Sequence, residues 1–205
     1  MSNLLDELKG RRSVRKYQAR PVPEGLIRKV LEAAGLAPSA HNAQPWRFIV
    51  LANPQVKRQL AEAMARAWAA DMAKDGVSVE PEKFNLRVER FSDAPALLLA
   101  CFCMEGMATF ADVKRQRLER DLAMQSLAAA TENLLLAAHS MGLGACWICA
   151  PAFCKETVRQ TLKIPSEVEP EALISLGFPA EEPVAPVRKR LGDYCFWERW
   201  GDSLV

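Results

Sequence analysis

Histidine is scarce in this chain, with two in 205 residues, and there is one CxxC pair, Cys146 to Cys149. That supply argues against a zinc site, which draws on several His or Cys ligands. Glycine-rich phosphate loops are missing as well. Neither GxxxxGK[ST] nor a GxGxxG following a strand occurs, so an ATP site of the first kind or a Rossmann nicotinamide site is not supported. No apolar run reaches the roughly 18 residues that span a bilayer. Charge of one sign is also lacking: 27 basic against 25 acidic residues leave a net +2. Such a balance gives no global drive towards nucleic acid or membrane. The first ten residues, "MSNLLDELKG", read as a short amphipathic helix with acids in it, without the charged-then-apolar order of a signal peptide. A cytoplasmic protein is expected.

What is present points to a folded protein. Half the residues are hydrophobic, and the length suits one sizeable core, taken as a single domain over residues 1–205. Five of the six cysteines lie in or beside apolar segments, as small buried hydrophobes do; a disulfide framework is not expected. "GACWICAP" reads as an apolar strand ending at a proline. Strand positions three apart face opposite ways, so a redox pairing of Cys146 with Cys149 is awkward.

Periodicity predicts helices over Leu4 to Lys9, Pro23 to Leu36, Pro54 to Lys74, Ala111 to Met141 and Cys154 to Leu162. Strands are expected at Trp46 to Leu51, in "PALLLACFC", at Ala145 to Ala150 and at Ala172 to Leu176. The continuous apolar run "PALLLACFC" suits a strand buried on both faces. "KDGVSVEPEKF" is expected to be a loop, with a helical patch from there towards Phe91. The long helix carries Gln125, Glu132 and His139 on one stripe, expected to face solvent or water-filled space. Its middle is otherwise apolar enough to hint at a dimer built across it. Four apolar strands among five or more helices make an α+β or α/β layer fold.

Three groups of residues could carry chemistry. "GRRSVRKYQAR" holds Arg11, Arg12, Arg15, Lys16 and Arg20. The bland reading is a solvated basic loop; nucleic-acid binding fits poorly with a charge-balanced chain. A compact dianion fits better, because arginines, a serine hydroxyl and backbone N–H groups can hold one phosphate. Arg188, Lys189 and Arg190 form a second basic cluster. The second group is "APSAHNAQPWRFIV", where Asn42 and Gln44 each offer a donor and an acceptor for a flat polar ligand. Its bland reading is a turn stabilised by Ser and Asn side chains. Third, Ser39 and His41 raise acyl transfer. No GxSxG elbow surrounds Ser39, and triad partners come from separate segments, which argues against hydrolysis.

Together "RRSVRKY", "APSAHNAQPWRFIV", "GLGACWICAP" and "VRKRL", in that order, resemble the nitroreductase superfamily over essentially the whole chain. The resemblance implies an α+β, three-layer fold with a mostly antiparallel central sheet, a homodimer, and FMN at its interface. It also implies FMN contacts at Arg11, Arg12, Ser13, Val14 and Arg15, with Arg188 and Arg190 closing on the phosphate. Ser39, Asn42 and Gln44 would reach the flavin from the partner subunit, and the backbone at Cys149 and Ala150 would approach the ring. No catalytic side chain is implied, since the flavin carries the hydride chemistry. "SAHNAQPWRF", "ENLLLAAHSMGLGACWICAPAFC" and "PEALISLGFPA" resemble, more narrowly, the FMN domain attached to the glutamyl ligase of the factor-420 type deazaflavin coenzyme. With no ligase domain before Met1, a standalone version is expected. The implied activity is ping-pong hydride transfer, from reduced nicotinamide or deazaflavin to a dehydro-deazaflavin precursor, a nitroarene or a quinone. The rival reading from another class is a flavin carrier without turnover. Substrate choice is expected in the region from Ala69 to Phe91.

Overall fold

The computed structural model describes residues 3–204. Four strands, β1 (Trp46–Leu51), β2 (Ala96–Cys103), β3 (Gly144–Ile148) and β4 (Val168–Gly177), form one sheet in the order β1-β2-β4-β3. Every neighbouring pair is antiparallel. Six α-helices flank it: α1 (Leu4–Gly10), α2 (Glu24–Gly35), α3 (Pro54–Lys74), α4 (Pro81–Ser92), α5 (Val113–Ser140) and α6 (Lys155–Leu162).

Strand alternation divides the core into two layers. Ala96, Leu98, Ala100 and Phe102 of β2 point to one face and pack with Ile27 and Val30 of α2 and Leu127 and Leu134 of α5. Leu97, Leu99 and Cys101 point to the other, against Leu60 and Met64 of α3, Phe91 of α4 and Val158 of α6. All eight residues of β2 are buried, as expected of a strand covered on both sides. Burial pushes the Cys101 thiol up to about 12, so it is an inert apolar filler.

Two boundaries differ from the sequence reading by more than two residues. Helix α4 begins at Pro81, inside the stretch expected to be a loop. Proline is at home there, because a first-turn N–H has no intrahelical partner to lose. Strand β4 begins at Val168, earlier than Ala172. Its early part carries Pro170 and an irregularity: Ala100 pairs with Ala172 but Cys101 pairs with Pro170, leaving Glu171 as the extra residue of a bulge. That bulge tolerates the proline and turns Glu171 towards Lys155 and Arg120. Glu169 joins them, bonded to Arg120 at 2.6 Å and Lys155 at 3.0 Å.

The Arg120 guanidinium, followed by the Lys155 ammonium, holds the Glu169 carboxyl down at about 2. A lowered carboxylate contributes stability that is full above its ordinary value and is lost as pH falls towards the folded value. Between about pH 4.5 and pH 2 the wild type should therefore lose stability that Glu169→Gln no longer has to lose. Denaturant unfolding across that range should give converging curves as the pH falls.

Candidate functional site

The basic segment is built onto the outer edge of β3. Ser13 forms a parallel bridge with Ala145, and the Val14 N–H donates to the Ala145 carbonyl at 3.0 Å. Val14 is buried, so by alternation its neighbours Ser13 and Arg15 face outward. The Tyr17 hydroxyl closes the segment, donating to the Val14 carbonyl at 2.6 Å and lying 2.7 Å from Ser175 Oγ. Gly144 is required by this packing: a Cβ there would come within 2.6 Å of the Val14 side chain.

The three arginines differ in how they are engaged. Arg11 faces Glu132 at 3.3 Å. Arg12 donates to the Lys9 and Arg11 carbonyls. Arg15 is exposed and reaches only the Ser13 carbonyl at 3.3 Å, with no ion pair among the described residues. Of the stripe expected to face solvent or water-filled space, Gln125 is exposed, Glu132 keeps its side chain 43% exposed while meeting Arg11, and His139 lies 3.6 Å from Glu7 of α1 on the wall of a cavity. A cavity of about 320 Å³ lies beside Arg11, Arg12 and Val14, with Glu181 and Glu182 on its wall.

The amide segment lies between α2 and β1. His41, Asn42 and Gln44 adopt φ of 56°, 52° and 48°. Left-handed residues other than glycine cost on the order of 1–2 kcal/mol each, so the surroundings must hold them. Ser39 Oγ accepts the Gln44 N–H at 3.0 Å, and Ser126 Oγ accepts the Ala40 N–H at 3.1 Å. His41 Nε2 lies 3.1 Å from Glu119. The turn is therefore fixed by Ser39, Ser126 and Glu119. The Asn42 and Gln44 side chains, both exposed, make no hydrogen bond among the described residues. Their donors and acceptors are left for a ligand.

These two segments are far apart in one chain. Ser13 lies beyond β3 and Gln44 precedes β1, at opposite edges of the sheet. Four strand spacings make about 19 Å. They also sit at opposite ends of the strands, since Trp46 is level with Phe102 and Glu169, and Ala145 with Leu176. Seven residues add about 23 Å, for a separation of about 30 Å. By contrast, Cys149 and Ala150 follow β3 itself, about 15 Å along the strand from Ser13. Strand β3 ends at Ile148, and Ala150–Phe153 forms a 3₁₀ turn. Cys146 is buried and Cys149 exposed, and all six thiols are free. No His/Cys/Asp/Glu cluster suited to a metal is present among the described residues.

Next to Ala150 is a mostly apolar cavity of about 360 Å³, walled by Met64, Trp68, Met72, Phe153 and Arg87. The Arg87 guanidinium stacks 4.4 Å over the Trp68 ring. Arg188 and Arg190 are exposed, and Arg190 engages Asp193. No contact brings either to the Arg11–Arg15 segment among the described residues.

A family model described as the nitroreductase family matches residues 8–178. The chain belongs to the nitroreductase family. A relative from Methanothermobacter thermautotrophicus, provisionally designated an NADH dehydrogenase/NAD(P)H nitroreductase, is 35% identical over 183 residues, covering 88% of this chain and 80% of the relative. An NADH dehydrogenase from Thermus thermophilus is 34% identical, over 91% of this chain and 92% of its own. The crystal structure of a BluB-like flavoprotein from Clostridium difficile 630 superposes with a TM-score of 0.80 at 26% identity, covering 97% of this chain and all of that one. The all-antiparallel sheet with helices on both faces agrees with the fold expected from the nitroreductase resemblance.

Four residues beside the candidate segments escaped the sequence reading: Glu119, Trp68, Arg87 and Phe153. Only packing brings Glu119 to His41, 78 positions away. The region from Ala69 to Phe91 holds the end of α3, a short connection over residues 75–80 and most of α4, and Trp68 and Arg87 meet between those two helices. In this nitroreductase chain Gly144→Ala should destabilise by about 1–3 kcal/mol through overpacking against Val14. Thermal melts check this: a lowered melting temperature is expected, and an unchanged one would contradict the packing.

Proposed function

We propose that this protein is an FMN-dependent oxidoreductase, working as a homodimer in which each flavin is held by both subunits. The observation that carries the reading is the pair of unspent polar sets, Arg15 with Ser13 on one side and Asn42 with Gln44 on the other. They lie too far apart in one chain to meet on a mononucleotide. A second subunit can bring one chain's amide segment to the other chain's basic segment. The tail supports this: Val187, Tyr194, Trp197 and Trp200 leave large apolar surface in water, with Trp200 89% exposed. The names of the relatives, dehydrogenases, nitroreductases and a flavoprotein, agree with it.

The residues present fit the cofactor. Arg11, Arg12, Ser13 and Arg15 supply charge-assisted donors for a phosphate, and Arg188 and Arg190 of the exposed tail add to them on dimerisation. Buried Val14 keys the segment into β3. Asn42, Gln44 and Ser39 offer amide and hydroxyl partners for the ring and ribityl chain. Backbone N–H groups at Cys149 and Ala150 open a 3₁₀ turn, where the first N–H groups have no partner within the turn. When bound, FMN supplies reversible two-electron hydride chemistry, and the protein supplies position and electrostatics. The cavity beside Ala150 gives a flat molecule an apolar wall of Met64, Trp68 and Phe153. A ping-pong cycle follows, in which reduced nicotinamide gives a hydride and a quinone, a nitroarene or a dehydro-deazaflavin precursor takes it from the same place.

Pure protein should bind one FMN per subunit, with flavin absorbance that bleaches on anaerobic mixing with NADH or NADPH. Flavin that binds but never bleaches would favour a carrier without turnover. Absence of binding would sink the proposal. Arg15→Ala should weaken FMN about 10- to 100-fold, the loss of a charged hydrogen bond worth about 1.5–3 kcal/mol, without a change in melting temperature of the apo protein.

A further inference from the structure

We infer that His41, oriented by the buried Glu119, is the proton donor to the acceptor in the second half of the cycle. The inference rests on the flavin reading above and assigns a role that the flavin does not fill. A hydride brings two electrons and one hydrogen. Turning a carbonyl oxygen of a quinone into a hydroxyl also needs a proton, and the amide segment holds one residue able to give it.

The geometry is that of an oriented acid. Glu119 is the residue of α5 beneath the segment, its side chain 8% exposed against 48% for His41. Its carboxylate accepts the Ala108 N–H at 3.2 Å and meets His41 Nε2 at 3.1 and 3.4 Å. A buried carboxylate with one backbone partner requires a further donor, so the bond assigns the hydrogen on Nε2. Which nitrogen carries a proton follows from the bond the other makes. Nδ1 is then the working atom. It has no hydrogen bond among the described residues, and half the side chain is open to water. Glu119 is the only ionisable group within ion-pair distance of the ring among the described residues. The backbone pays for this placement with φ of 56° at His41, a strained value for a residue with a Cβ. The left-handed turn puts His41 in the same short segment as Asn42 and Gln44, and Glu119 holds the ring.

The step balances. The hydride, with its electron pair, comes from the reduced cofactor to the quinone. The Nδ1–H bond of the imidazolium breaks, its electrons stay on the ring, and the proton forms the O–H bond of the hydroquinone. Neutral imidazole remains, still bonded through Nε2–H to Glu119, and takes a new proton from solvent.

His41→Gln tests this, because its amide NH₂ can still donate to Glu119 but cannot deliver a proton. Both half-reactions are followed by anaerobic stopped flow from pH 5.5 to 9. FMN affinity and reduction by nicotinamide should stay within about twofold of wild type. Reoxidation by a benzoquinone should fall by about 100-fold or more, the usual scale of general-acid catalysis, and lose its dependence on pH. Reoxidation by ferricyanide, which takes electrons without a proton, should not change. In flavin-free wild-type protein, imidazole ¹⁵N shifts at high pH should show the Nε2–H tautomer. A quinone rate within threefold of wild type overturns the inference. So does an equal fall with quinone and ferricyanide, which would make His41 a structural clasp, and so does an Nδ1–H tautomer. Absence of flavin absorbance in wild-type protein overturns the flavin reading and this inference together. Normal flavin reduction with an unaltered quinone step overturns this one alone. His41→Asn repeats the comparison should the glutamine variant fail to fold.

Discussion

The antiparallel pairing of β2 with β4, buried on both faces, sets every other distance in the molecule. Strand β1 hangs on one side of that pair and β3 on the other. Each edge strand then fixes one polar segment: β1 the turn from Ser39 to Gln44, β3 the basic stretch from Arg11 to Arg15. Because the pair in the middle cannot be thinned or slipped without exposing an apolar face, the two segments are held about 30 Å apart. A dimeric flavin site is the consequence proposed for that separation.

Both segments are rigid at the backbone and leave their polar ends outward. Val14 packs where Gly144 leaves no side chain, so Ser13 and Arg15 are aimed away from the core. On the other side Ser39 and Ser126 consume the backbone N–H groups of the turn, so Asn42 and Gln44 need not. The cost of three left-handed residues is met by ordinary hydrogen bonds and one buried carboxylate. The backbone of such a site is already placed, and binding has to order only the exposed side chains of Arg15, Asn42 and Gln44.

Much of this was legible in the sequence, and the reasons are local. "PALLLACFC" could be read as a doubly buried strand because its apolar run is continuous, and Pro54 to Lys74 as a helix because it is rich in alanine and charge. The motif residues were legible through their order along the chain. What was not legible depends on contacts distant in sequence or on two meanings of one residue. Pro81 reads equally as a loop residue or a first helical turn. Pro170 argues against a central strand unless the bulge at Glu171 is known. Glu119 looks like one more surface acid of a long helix until packing sets it under His41. Periodicity placed Gln125, Glu132 and His139 on one open stripe but could not show that Arg11 meets the second and Glu7 of α1 the third.

The account's central claim is that one flavin takes Arg15 from one chain and Asn42 with Gln44 from another. Mixed dimers test it most directly. Arg15→Ala protein and Asn42→Ala/Gln44→Ala protein, each purified and each weak for FMN, are exchanged into heterodimers with distinguishable tags. In such a dimer one site carries both defects and the other carries neither. The account predicts that one FMN per heterodimer binds with wild-type affinity. Affinity no better than that of either parent, or tight binding of FMN by an isolated monomer, would contradict it.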